Sequence, residues 1–86
     1  MKRIEHLLYR LLLWLESKDS VRAERPPQIC DYTEAQIHYH AGLLRDAGFA
    51  TGNELDTLGQ EFPEYRLGRL TWSGQEMLAE MRARLG

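Results

Sequence analysis

The chain has 86 residues, 43% of them hydrophobic and 28% charged, with a formal net charge of −2. That length allows one small domain, residues 1–86, with a thin core in which each large apolar side chain counts. The near-neutral balance argues against strong non-specific attraction to nucleic acid but leaves binding by a local patch open, and a single cysteine, Cys30, excludes an intramolecular disulfide.

The first segment, "KRIEHLLYRLLLWLESK", reads as an amphipathic helix. Ile4, Leu7, Leu8, Leu11, Leu12, Trp14 and Leu15 fall within an arc of about 160° on a helical wheel, a broad core-facing stripe. Tyr9 and Leu13 lie off that stripe, four residues apart, and so sit together on the opposite face. They are either scattered surface residues or a second contact surface, for a partner chain or for the C-terminal helix. Although the segment is leucine-rich after Lys2 and Arg3, Glu5, His6, Arg10 and Glu16 interrupt it and no small-residue cleavage site follows. It is too short and too charged to span a bilayer. The expectation is a soluble, cytoplasmic protein with no membrane partner.

"SKDSVRAERPPQICDY" comes next. Pro26 and Pro27 forbid helix and bias Arg25 towards extended geometry. "QIC" reads as a short strand, with a loop as the alternative for the Pro26–Pro27 segment. Lys18, Arg22 and Arg25 form the densest basic group of the chain, read as a solvated loop.

Thr33 and Gln36 have the spacing of a capping box, so a helix should start there and run to about Ala47. Gly48 stands where a left-handed C-cap residue belongs. "FATGNEL" opens a strand, "DTLGQEFPE" is a loop, and "YRLGRL" is a second strand, together making a hairpin with a long tip. Thr71 or Ser73 can cap a last helix, with Met77, Leu78, Met81 and Leu85 as its apolar stripe. The order is helix, short strand, helix, β-hairpin, helix.

The histidine pair of "QIHYHAGLLRDAGFA" needs a decision between metal ligands, reading surface and packing. Residues two apart on a helix point about 200° away from each other, so His38 and His40 cannot share a metal ion there. One cysteine and two histidines are also too few for a structural zinc site. No cofactor or metal is expected. The wheel places His40 inward with Ile37, Ala41 and Leu44, as a packing residue bonded to a backbone carbonyl or a nearby side chain. It places His38 outward with Glu34, Ala35, Tyr39, Gly42, Arg45 and Asp46. Gly42 costs a helix about 1 kcal/mol relative to alanine. It either leaves the outer face low for a partner or makes room for another element of the domain.

"QIHYHAGLLRDAGFATG" resembles the recognition helix and wing entrance of winged-helix regulators of the ArsR, MarR and PadR type. "YRLGRLTWSGQEML" looks like the strand-to-helix junction of the same superfold. Together, "HYHAGLLRDAGF" and "RLTWSGQEML" more narrowly resemble a family of small phage-associated bacterial proteins that form a domain of unknown function. The resemblance covers nearly the whole chain. It implies an α+β, winged-helix-like fold, but it lends no activity. One departure stands out: "RAERPPQICDY" occupies the place of the separate positioning helix that normally contacts the phosphate backbone.

Two functions follow. The superfold puts double-stranded DNA first, with Gln36, His38, Tyr39 and Arg45 on the helix and Arg66 and Arg69 on the wing as contact residues. Charge argues against it, because Glu54, Asp56, Glu61 and Glu64 outnumber the two hairpin arginines. The alternative is a protein-interaction module that contacts a host or phage protein, with Tyr9 and Leu13 as a second patch. A homodimer is compatible with either. No nucleophile elbow, phosphate loop or paired-carboxylate motif is present, so no catalytic residue and no enzyme is expected.

Overall fold

In the computed structural model, residues 1–56 and 59–86 are described. Three helices and one antiparallel hairpin follow in the order α1 (Glu5–Ser17), α2 (Glu34–Asp46), β1 (Ala50–Leu55), β2 (Glu64–Leu70) and α3 (Trp72–Leu85). The expected α+β architecture is therefore present. The expected hairpin loop includes Thr57 and Leu58, which lie outside the described residues.

The core is built on α1. Leu7, Leu8, Leu11, Leu12 and Leu15 are buried against Ile37, Ala41 and Leu44 of α2, Leu67 and Leu70 of β2, and Leu78 and Met81 of α3. Burying one leucine side chain stabilises a fold by about 1.5–3 kcal/mol, so this stripe carries much of a small domain's stability. Tyr9 and Leu13 are partly buried at the edge of the core rather than freely exposed. The Tyr9 hydroxyl lies where a Cβ on Gly86 would stand, 2.7 Å away. Of the second patch expected on α1, Tyr9 therefore meets the end of α3.

Helix ends follow the sequence closely. Thr33 Oγ1 accepts from the Gln36 amide while Gln36 Oε1 accepts from the Thr33 amide, a complete capping box. At the other end, Gly48 adopts φ +79°. The Phe49 N–H reaches Leu44 O, and the Gly48 N–H reaches Arg45 O, which together form a Schellman motif. Thr71 caps α3 through the Gly74 amide. Its own N–H donates to Phe49 O and its hydroxyl to Gly48 O. A Cβ on Gly74 would lie 1.9 Å from Phe49 O, so only glycine lets α3 start this close to the end of α2.

Two expectations about the Ser17–Tyr32 connection are corrected. "QIC" is not a strand. Ile29 is buried in the core, and a tight turn follows, closed by Tyr32 N–H on Ile29 O with Asp31 at φ +76°. Strand pairing occurs earlier instead. Glu24 bridges to Leu67 in antiparallel fashion, with both N–H···O bonds formed, at 3.0 and 2.9 Å. The prolines explain the shift, since neither has an N–H to offer a ladder.

Lys18 is the second correction. Only 5% of its side chain is exposed. Its ammonium donates to Arg22 O, Leu67 O and Gly68 O at 2.6, 3.0 and 2.8 Å. It also pairs with Glu24 at 3.1 Å and lies 5.2 Å from the centre of the Trp14 ring. An ammonium has three donors and no acceptor, and here all three are used on backbone carbonyls. Lys18→Met should therefore lower the free energy of unfolding by about 2–3 kcal/mol, because carbonyls lose charged donors in a buried setting. Arg22→Gln removes the same charge and should leave the urea midpoint nearly unchanged. Gly74→Ala should destabilise by about 1–3 kcal/mol through overpacking against backbone, read as a lower Tm.

Candidate interaction groove on the middle helix

Helix α2 buries two faces. Ile37, Ala41 and Leu44 meet α1, as the helical wheel requires. His40 lies with them, fully buried. Its Nε2 is 2.7 Å from the Ile4 N–H, and its Nδ1 is 2.7 Å from Gln36 O. Since Nε2 accepts from an N–H, the ring proton must sit on Nδ1 and point at the carbonyl. The inward packing role expected for His40 holds, and the ring also anchors the start of α1.

The opposite face is not solvated. His38, expected outward as a DNA or partner contact, is 3% exposed and lies under the hairpin. Its Nδ1 accepts the Tyr65 N–H at 2.9 Å, and its ring is 5.8 Å from that of Phe62. Gly42 is buried beneath Tyr65, whose ring atoms lie 2.8 Å from where a Cβ would stand. Of the two readings of Gly42, room for another element is the one realised. The wheel could not show this, because a histidine and a glycine carry no apolar signal.

The remaining contact candidates are dispersed. Gln36 is held in the capping box. Arg45 donates Nε to Gly52 O at 3.0 Å and pairs with Asp46 at 3.6 Å. Arg66 is exposed opposite Asn53. Arg69 lies beside α1 and α3 instead of α2. Tyr39 is 39% exposed. The six residues thus do not form one reading surface.

What Tyr39 does join is a groove of about 190 Å³, walled by Ala35, Tyr39, Gly42 and Leu43 on α2 and by Phe62, Pro63 and Tyr65 of the hairpin. Met1 and Asp46 also line it. The Tyr65 hydroxyl donates to Glu54 at 2.9 Å, and Glu61, beside Phe62, is exposed. Burial and Glu54 together push the Tyr65 phenol above its ordinary range, so it stays a neutral donor. Phe62, Pro63 and Tyr65 were missed by sequence reasoning. The one available signal was an aromatic–proline pair at the end of a polar loop, facing a helix that contains glycine.

Among the described residues, no three His, Cys, Asp or Glu side chains come together as metal ligands, and no helix is long and apolar enough to cross a membrane. Cys30 is exposed with its thiol 3.9 Å from Asp31, and both α2 imidazoles are engaged by backbone N–H groups.

The model of the hypothetical-protein family DUF2513 matches residues 2–85. The chain belongs to this family. It is a family of unknown function, so membership extends over the whole domain without assigning an activity. No curated protein and no solved structure matches the chain.

Burial holds both imidazoles below their ordinary pKa of 6.5; Glu64 partly opposes this at His38, and the Gln36 carbonyl does so at His40. The unfolded chain therefore takes up protons first as pH falls. Stability should be undiminished above pH 6.5 and decline as the pH drops below it, until the buried rings themselves protonate. Urea unfolding at neutral and mildly acidic pH checks this. His38→Asn, which keeps an acceptor near the Nδ1 position, should fold and show a shallower pH dependence.

Proposed function

We propose that this domain is a non-enzymatic protein-interaction module on a winged-helix-like scaffold, and that the groove between α2 and the hairpin is its contact surface. The observation that carries this reading is the closure of the hairpin over α2: Tyr65 rests on Gly42, and His38 is bonded to the Tyr65 amide. A helix that reads the major groove needs a free row of side chains along one face. Here the row is interrupted at its centre, and an apolar groove rimmed by Tyr39 replaces it.

Charge argues in the same direction. Asp46 in the lining, Glu54 beside Tyr65 and Glu61 beside Phe62 would repel phosphates. They suit a protein segment that presents an apolar anchor flanked by lysine or arginine on the hairpin side. In the bacterial or prophage setting that the resemblance implies, that segment belongs to a host or phage protein in the cytoplasm.

The test uses two amphipathic peptides of equal length, one of leucine and lysine, the other of leucine and glutamate, titrated into the labelled domain by NMR. The lysine peptide should shift the amides of Tyr39, Leu43 and Phe62 with a Kd on the order of 0.1 mM, and the glutamate peptide should not. Tyr39→Ala should weaken the interaction about tenfold. A parallel anisotropy titration with random duplex DNA at low salt should show no saturation up to about 100 µM protein, the weak end of non-specific DNA affinity. Saturable DNA binding that shifts Tyr39 and Arg45, with no response to the lysine peptide, would overturn the proposal.

A further inference from the structure

A second cleft of the domain lies away from the α2 groove. It measures about 590 Å³ and opens between α1, β2 and α3. Leu15, Leu70 and Leu78 line it together with the polar side chains of Glu16, Arg69, Gln75 and Arg82.

Arg69 reaches this cleft because the ladder is broken beside it. Two steps along β1, Ala50 to Gly52, are matched by three along β2, Leu70 to Leu67. That extra residue is a β-bulge at Gly68–Arg69, and bulges re-aim the side chains they carry. In an unbroken ladder Leu67 and Leu70 would face opposite sides of the sheet, yet both are buried in the core. The bulge reconciles the two and turns Arg69 towards α1 and α3.

Several groups hold the bulge in place. The Arg69 N–H donates to Thr51 Oγ1 at 3.0 Å, replacing a ladder bond. Lys18 holds the Leu67 and Gly68 carbonyls from the other edge. Gly68 has no room for a side chain, since a Cβ would lie 2.7 Å from Thr51 Oγ1 and 2.8 Å from Val21 O. The guanidinium these groups aim has one bond of its own, from Nη1 to Leu70 O at 3.1 Å, and no carboxylate within 4.0 Å among the described residues. Arg82 differs, being paired with Glu16 at 2.7 Å.

We infer that this cleft is a binding site for a small organic anion, a carboxylate or phosphate group carried on an apolar body. The planar guanidinium of Arg69 receives the anion through its free N–H groups. The Gln75 amide adds a neutral donor, and Leu15, Leu70 and Leu78 take the apolar body out of water. Glu16 competes for Arg82, so the pair acts as a brake on affinity.

The experiment is an NMR titration of the isotope-labelled domain with benzoate, phenyl phosphate and benzyl alcohol, following the arginine Nε–H signals and the backbone amides of residues 69, 75 and 82. Benzoate or phenyl phosphate should shift these signals saturably with a Kd of about 1 mM, typical of a fragment-sized ligand, and the stronger of the two names the anionic group. Benzyl alcohol, which has the apolar body without the charge, should bind at least about tenfold more weakly. Arg69→Gln should abolish the difference between anion and alcohol, Arg69→Lys should restore part of it, and Glu16→Gln should tighten anion binding. The Tyr39 and Leu43 amides should not move, which separates this site from the α2 groove. Equal shifts from benzyl alcohol, unchanged affinity in Arg69→Gln, or no saturable shift from either anion would each overturn the inference.

Discussion

The ammonium of Lys18 ends the first helix and begins the sheet. It leaves the last turn of α1, crosses the Trp14 ring and places its three donors on carbonyls from two different segments. One of those segments is the bulged part of β2; the other is the connection that returns towards the Glu24 bridge. A buried charge is tolerable only when its surroundings satisfy it in full, and this one is satisfied by backbone carbonyls of β2 and of the connection after α1. Through that contact the core helix sets where β2 lies. The position of β2 then decides where the hairpin meets α2.

Strand β2 is consequently the shared partner of every other element. It pairs with β1 along its length and with Glu24 at Leu67. It sends Leu67 and Leu70 into the core beside α1, and its Tyr65 backbone amide to the imidazole on α2. The groove takes Tyr65 from the start of this strand, and the cleft takes Arg69 and Leu70 from its end. The bulge near that end keeps Leu67 and Leu70 both in the core while it turns Arg69 towards α1 and α3.

Local chemistry made most of the fold legible in the sequence. The leucine stripe of α1, the Thr33–Gln36 capping box, the Gly48 stop and the Thr71 cap each express a rule that operates within a few residues. The illegible features depend on distant pairing. Nothing near Lys18 announces that its solvation will come from carbonyls some fifty positions away. Pro26 and Pro27 marked the absence of helix correctly, but the strand contact formed before them, at Glu24. The candidate site suffered most from this limit. His38 and Gly42 look polar or featureless on a wheel, so the face they occupy reads as free. It is filled by a histidine acceptor meeting a backbone donor and by a tyrosine ring lying where no Cβ stands. His40 was legible because its apolar neighbours recur with the helical period.

Thr71 joins the end of α2 to the start of α3. One residue caps α3 with its hydroxyl oxygen, donates that hydroxyl's proton to Gly48, and gives its amide proton to Phe49. The C-terminal turn of one helix and the N-terminal turn of the next therefore share their hydrogen-bond partners. Neither can fray without leaving the other's backbone groups unsatisfied, so the two ends open as one cooperative unit. In a domain this thin, that coupling ties the end of the middle helix to the start of the last across the base of the hairpin, so neither terminus unwinds independently.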